Sequence, residues 1–274
     1  MSLKKLPKIN AKTPIGVKWD APTDAMAKWD SSLVSANSDS ATITMYDQIG
    51  SDGWTDGVTA KRISAALRSI GSKDVTVSIN SPGGDFFEGI AIYNMLREHP
   101  HKVTVKVVGL AASAASIIAM AGDEIQVAKT GFLMIHNAWV YAIGNRHDLR
   151  EAAVVLDEFD GVMAQLYADA SGVSLSEAAK LMDEETWLSG QAAVDAGFAT
   201  ALLAADDVSA NASERGANAT IRKVESILAQ HGLPRSERRK LILEIKGMSG
   251  AAPVTPGADL FEGIKEYTKN LRGK

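Results

Sequence analysis

Residues 103–120 read VTVKVVGLAASAASIIAM. This is the most apolar stretch of the chain, yet Lys106, Gly109, Ser113 and Ser116 break it. A membrane-spanning helix needs about 20 consecutive, mostly apolar residues, so the run reads instead as buried strand, turn and helix. Val103 to Val108 is β-branched and predicts a strand. Ala112 to Ala121 is a small-residue run and predicts a helix. Ser113 lies where the one becomes the other.

The flanking sequence repeats this alternation. Upstream, Ala41 to Tyr46 is strand-like, and Thr59 to Ile70 puts Ala60, Ile63, Leu67 and Ile70 on one helical face. Val75, Val77 and Ile79 alternate as in a strand, and Asp85 can cap a helix through Glu98 whose apolar face includes Phe86, Ile90, Tyr93 and Leu96. Downstream, Glu124 to Val127 and Phe132 to Ile135 are short strands. A long helix follows from Asp148 to about Ala170, carrying Leu149, Val155, Phe159, Met163 and Tyr167. Ser174 and Glu177 form a capping-box signature, and Ser189 opens a short helix that Gly197 ends. Strands alternating with helices imply an α/β fold with a mostly parallel sheet.

The ends differ in texture. Residues 1–40 are rich in Lys, Pro, Ser, Asn and Asp and predict a loosely ordered arm before a domain over residues 41–204. Residues 205–219 read as a linker, and residues 220–274 as a helical extension. Within the extension, Thr220 to Gln230, Ser236 to Lys246 and Asp259 to Leu271 are the helical segments. Arg222, Lys223, Arg238, Arg239 and Lys240 make a basic face there, read either as solvated surface or as a docking surface.

Composition narrows the chemistry. The 274 residues are 46% hydrophobic and 23% charged, as in ordinary globular proteins. A net charge of −4 supplies no basic field for nucleic acid. The absence of cysteine excludes disulfides, thiolate metal sites and a Cys nucleophile. The lysines at 4, 5, 8 and 12 are followed by no apolar run, so a signal peptide is not expected and a cytosolic protein is.

Three segments carry chemistry. Asn80-Ser81-Pro82-Gly83-Gly84 follows a strand and precedes a helix. Paired glycines let its backbone adopt positive φ and aim N–H groups at an anion, although an ordinary turn needs the same residues. In Gly109 to Ser116, a serine at a helix start sits at the positive end of the dipole, beside the free N–H of Ala114. That logic is a nucleophile elbow without the G-x-S-x-G pattern; the alternative is a serine that caps the helix. In Phe132 to Asn137, His136 ends an apolar strand that can hold it rigidly as a general base or keep it as a structural residue. His99, His101, His147 and His231 lie in polar surroundings, read as solvated, and match no zinc spacing. An acid to orient the imidazole is offered by Asp183, Glu184 and Glu185, among which the local chemistry does not choose.

In order, N-S-P-G-G, G-x-A-A-S, a strand ending M-I-H, and Trp187-Leu188-Ser189 with Ala192, Ala193 and Gly197 resemble the Clp protease proteolytic subunit family from about Ile43 to Leu203. Ile92-Tyr93-Asn94, L-A-A-S-A-A-S, M-I-H-N, Gly144-Asn145, Asp148-Leu149-Arg150 and Glu185-Thr186-Trp187 bring it nearest to the Clp-related head maturation proteases of tailed bacteriophages. The resemblance implies a ClpP/crotonase-like spiral of β-β-α units and a serine endopeptidase that needs no metal or nucleotide cofactor. It implies Ser113 as nucleophile, His136 as base, and an oxyanion hole of Gly84 and Ala114 N–H groups. It implies Glu185 as the third member, where the bacterial enzyme has Asp, with Asp183 as the alternative. A ring-like homo-oligomer joined through the long helix is implied too. So are capsid or scaffold substrates in the host cytoplasm or prohead, without nucleic-acid or membrane partners. The competing readings are a crotonase-like acyl-CoA enzyme, because fold does not fix function, and a non-catalytic assembly protein docking through its terminal helices.

Overall fold

The structure, a computed structural model, describes residues 21–29, 34–35, 41–51, 57–140, 142–204, 208–209, 224–233, 237–238 and 240–242. Its elements in chain order are α1 (Thr23–Lys28), β1 (Val34–Ser35), β2 (Thr42–Met45), α2 (Ala60–Ile70), β3 (Val75–Ser81), α3 (Phe86–Arg97), β4 (Val103–Ala112) and α4 (Ala114–Ala119). There follow β5 (Glu124–Ala128), β6 (Phe132–Ile135), α5 (Arg146–Ser171), α6 (Leu175–Asp183), β7 (Thr186–Ser189), α7 (Gly190–Asp195), β8 (Ala201–Leu203) and β9 (Val208–Ser209).

Strands β2-β3-β4-β5-β8 form a parallel run, β6 joins it parallel to β4, and β7 pairs antiparallel with β6. The fold is thus the expected α/β arrangement with a mostly parallel sheet. Its decisive element is β4, which serves two partners. Thr104 to Val107 pair with β5, whereas Leu110 to Ala112 pair with β6. Between these halves the register with β3 slips: Ile79 faces Val107, but Ser81 faces Ala111. The extra β4 residues bulge and re-aim the strand. Asn80 repairs the ladder, because its side-chain Oδ1 accepts the Leu110 N–H at 3.1 Å.

The two faces of this region are covered differently. One packs into the main core with Val77, Val105, Ala111, Leu133, Ile135, Phe159 and Tyr167. On the other, Leu110, Ala112 and Met134 meet Ala25, Met26 and Trp29 from α1 and its C-cap, together with Ala229. Period-two alternation along β4 and β6 assigns each side chain to its layer. At the far end of α3, the buried Arg97 donates to the Ala121 carbonyl at 2.9 Å and pairs with Asp123 at 3.1 Å. Asp123 in turn accepts the Val103 N–H at 2.9 Å, so helix and sheet are pinned together.

Several expectations need correction. Residues 21–29 were expected to be loose, yet α1 buries Ala25 and Met26, and Trp29 donates to the Asn80 carbonyl at 3.1 Å. Part of the expected linker is strand β9, paired with β1 from the arm. Strand β4 runs on to Ala112, so α4 starts only at Ala114. Strands β7 and β8 were not anticipated. Arg238 is buried and donates to the Leu233 carbonyl at 3.0 Å, so it is not part of a solvated basic face; Lys240 is exposed. His99 is buried with its Nε2 2.7 Å from the Lys73 carbonyl, which makes it structural rather than solvated. The expected helix Asp259 to Leu271, most of the linker, Arg222, Lys223 and Arg239 lie outside the described residues. Among the described residues, no helix is long and apolar enough to cross a membrane.

Candidate active site

The strand register brings the chosen residues together. Ala112 faces Met134, and the Ser113 N–H donates to the Met134 carbonyl at 3.0 Å. Ser113 therefore leaves β4 beside the point where His136 leaves β6. Ser81 faces Ala111 on the other side of β4, which carries Pro82, Gly83 and Gly84 to the same end of the sheet. Gly84, Ser113, Ala114 and His136 line one small cavity of about 20 Å³, with Phe86, Ile117, Met163 and Tyr167 among its apolar walls.

Ser113 has φ 55° and ψ −126°, a backbone conformation sparsely populated by non-glycine residues. Several bonds hold it there. Its carbonyl accepts the N–H groups of Ser116 (2.9 Å) and Ile117 (3.2 Å) and the Ser116 hydroxyl (2.7 Å). Ser116 Oγ also lies 2.8 Å from the hydroxyl of the fully buried Tyr167. Although Ser113 occupies the N-cap position of α4, its side chain makes no capping hydrogen bond. The reading of Ser113 as a mere cap is therefore not what the structure has; its hydroxyl is not spent on the helix.

The glycine pair is required by close approach. A Cβ on Gly83, at φ 90°, would lie 2.5 Å from the Ala112 carbonyl oxygen and 2.7 Å from Ser113 Cβ. A Cβ on Gly84 would lie 2.1 Å from the Ile49 carbonyl oxygen. Gly83 O accepts the Ile49 N–H at 2.8 Å, which fixes the loop. Among the described residues, the N–H groups of Gly84 and Ala114 donate to no backbone carbonyl.

His136 is buried, and burial pushes its pKa down to about 4, opposed by the negative charge of Asp24. Among the described residues it makes no hydrogen bond to Ser113 or to Glu185. Glu185 does not reach the small cavity. It lines an adjoining space of about 340 Å³ together with Asp24, His136, Asn137 and Asp183. The register explains its place: Ile135 faces Thr186 across antiparallel β6 and β7, so the residue before Thr186 comes opposite the residue after Ile135. Asn137 Nδ2 donates to Asp183 Oδ1 at 2.7 Å. The loop after His136 is tied to α5, where Asp160 accepts the Ala138 N–H at 2.6 Å. Burial raises the Asp160 pKa to about 6.

Sequence reasoning missed Asp24, Ser116, Tyr167 and Asp160 as neighbours of the site. Ser116 stood inside the quoted motif and Tyr167 on the apolar face of the long helix, so both were visible without a role. Asp24 was hidden by reading the whole first segment as arm. The signal was Ala25, Met26 and Trp29, which share one helical face at spacing i, i+1, i+4.

The family model described as Clp protease matches residues 28–206. An ATP-dependent Clp protease proteolytic subunit of Bacteroides fragilis is 29% identical over 154 residues, 54% of this chain and 74% of that subunit. The corresponding subunit of Ligilactobacillus salivarius is 31% identical over 133 residues, 48% of this chain and 68% of that one. A solved structure of a ClpP1 mutant from Listeria monocytogenes aligns with a TM-score of 0.49 at 25% identity, covering 60% of this chain and 91% of that chain.

Proposed function

The chain belongs to the Clp protease family, a family of serine peptidases, and from that premise we propose that it is a serine endopeptidase using Ser113 as nucleophile and His136 as general base. The observation that carries this reading is the single cavity shared by Ser113, His136, Gly84 and Ala114. In the reaction, the imidazole takes the hydroxyl proton as Ser113 Oγ bonds to the scissile carbonyl carbon. The carbonyl oxygen gains the negative charge and accepts from the Gly84 and Ala114 N–H groups. One such donor is typically worth about 3–4 kcal/mol of barrier. The imidazolium then gives its proton to the leaving amine as the C–N bond breaks. Water attacks the acyl-enzyme by the same route in reverse. Glu185 is the acid that orients the ring. Its place opposite His136 across β6 and β7 supports this, and Asp183 is the weaker choice because its oxygen already serves Asn137.

The biological reading is processing of capsid or scaffold proteins during phage head maturation, in a ring-like homo-oligomer. It rests on the motifs that resemble the phage branch of the family, notably L-A-A-S-A-A-S and M-I-H-N. Co-expression with the capsid and scaffold proteins of a phage carrying this sequence tests it. Discrete cleavage by the wild type, absent with Ser113→Ala, is the expected result. Equal cleavage by Ser113→Ala removes the protease assignment, and cleavage of model peptides with intact capsid and scaffold removes only the phage role.

A further inference from the structure

His136 opens on two sides, and the second side is not made by the protease domain alone. The space of about 340 Å³ behind the ring is walled by Pro22, Thr23 and Asp24 as well as by Asp183 and Glu185. Three acidic residues therefore line the space that borders the imidazole: Asp24 from α1, Asp183 from the end of α6, and Glu185 from the turn before β7. Asp160 of α5 accepts the N–H of Ala138, two residues beyond His136 in the chain. Among the described residues, no Lys or Arg lines this space.

The three carboxylates are not equivalent. Asp183 is exposed and hydrogen-bonded to Asn137. Glu185 is exposed, so water screens its charge. Asp24 is half-buried, and it is the carboxylate whose charge acts on His136. Its backbone is held firmly. The adjoining Ala25 and Met26 are buried against Leu110, Ala112 and Met134, the strand ends that carry Ser113 and His136. Trp29 fastens the same segment to the Asn80 carbonyl, at the start of the glycine loop. Ser226 Oγ donates to the Trp29 carbonyl at 3.3 Å and Gln230 Nε2 to the Ala27 carbonyl at 2.9 Å, so the C-terminal helical segment clamps α1 from outside.

We propose that Asp24 is a positioning residue for His136, a carboxylate supplied by the N-terminal helix that stabilises the imidazolium formed when the ring takes the Ser113 proton. The proposal rests on the protease reading and deepens it. It makes α1 and the C-terminal segment that clamps it part of the working site: undocking α1 withdraws a negative charge from behind the base.

The test uses the full chain and its Asp24→Asn and Asp24→Glu variants. The His136 midpoint is followed by NMR of its ring carbons, and kcat/KM on a fluorogenic peptide is followed against pH. Removing a nearby negative charge disfavours the protonated ring. Asp24→Asn should therefore lower the His136 midpoint by about half a pH unit or more, and lower plateau kcat/KM by about tenfold with KM little changed. Asp24→Glu should restore most of both. A purely structural role for Asp24 would lower thermal stability in both variants and leave the NMR midpoint where it was. An unmoved midpoint in Asp24→Asn overturns the proposal whatever the activity. A moved midpoint in a protein whose Ser113→Ala variant still turns over peptide keeps the Asp24–His136 coupling and defeats the protease reading instead.

Discussion

Ser113 sits at positive φ, and the strain of that conformation is balanced by a buried chain of hydroxyls running from its carbonyl through Ser116 to Tyr167. The chain makes an asymmetric prediction. Tyr167→Phe removes one neutral hydrogen bond and leaves Ser116 bonded to the Ser113 carbonyl, so it should cost about 1 kcal/mol. Ser116→Ala strands a fully buried phenol and removes one of the three donors to the Ser113 carbonyl, so it should cost about 2–3 kcal/mol. Both should reduce kcat more than they raise KM, and the double variant should be more stable than Ser116→Ala alone. Chemical denaturation and peptide kinetics check this; equal costs for the two single variants would show that the hydroxyl chain does not act as a unit. The buried His136 makes the second residue-scale prediction. Its folded pKa of about 4 is depressed below the ordinary value of 6.5, so the folded state favours the neutral ring. The associated stability is present above pH 6.5 and is lost as pH falls through about 4. The base is thus already neutral at pH 5. The acid limb of kcat/KM should fall near pH 4 rather than near 6.5, which a pH–rate profile reads directly.

At the scale of elements, the site is a consequence of β4 being long enough to serve two neighbours. The bulge after Val107 turns its second half towards β6, and Asn80 satisfies the N–H that the bulge leaves over. The Arg97 staple holds the other end of the same layer. Arg97→Ala leaves the Ala121 carbonyl and the Asp123 carboxylate without their buried partner, and should lower unfolding free energy by about 2 kcal/mol, with midpoint but not m-value changed in urea. Elements with a clear period were legible in the sequence: β3, α3 with its Asp85 cap, and α5 with its long apolar face. The Gly144-Asn145 to Asp148 motif proves to be the capping box of α5, with Asn145 and Asp148 bonded reciprocally. Strands β7 and β8 were not legible, because four and three residues carry no usable period and β7 exists through the edge that β6 offers. Six-residue α1 left only the Ala25, Met26 and Trp29 spacing as a signal, since a helix that short is stabilised by docking rather than by propensity. At the site, Ser113 and His136 could be read because each ends a β-branched or apolar strand. Asp24 and Tyr167 could not, since their roles arise only from tertiary contact.

At the scale of the whole molecule, α5 presents apolar side chains that the described chain does not cover. Leu149 is 46% and Val154 59% exposed on its N-terminal half, and Ile143 just before it is 98% exposed. In the ring-like assembly proposed above these side chains would be covered by a neighbouring subunit, and α5 is tied to the site through Asp160 and Tyr167. The full chain should sediment as a multiple of 29.0 kDa. Val154→Asp should shift it towards smaller species and lower peptidase activity, while Ser113→Ala should leave the assembly unchanged. Sedimentation velocity distinguishes these; a monomer with full activity would remove the ring from the account.

The central claim is that the Ser113 hydroxyl is activated by His136 at the meeting point of β4 and β6. Mass mapping after reaction with a fluorophosphonate tests it most directly. Trypsin releases residues 107–129, a peptide whose serines are Ser113 and Ser116. The account predicts one adduct, on Ser113, formed by the wild type and lost in His136→Ala. An adduct on Ser116, or labelling of Ser113 that is undiminished without His136, would contradict it.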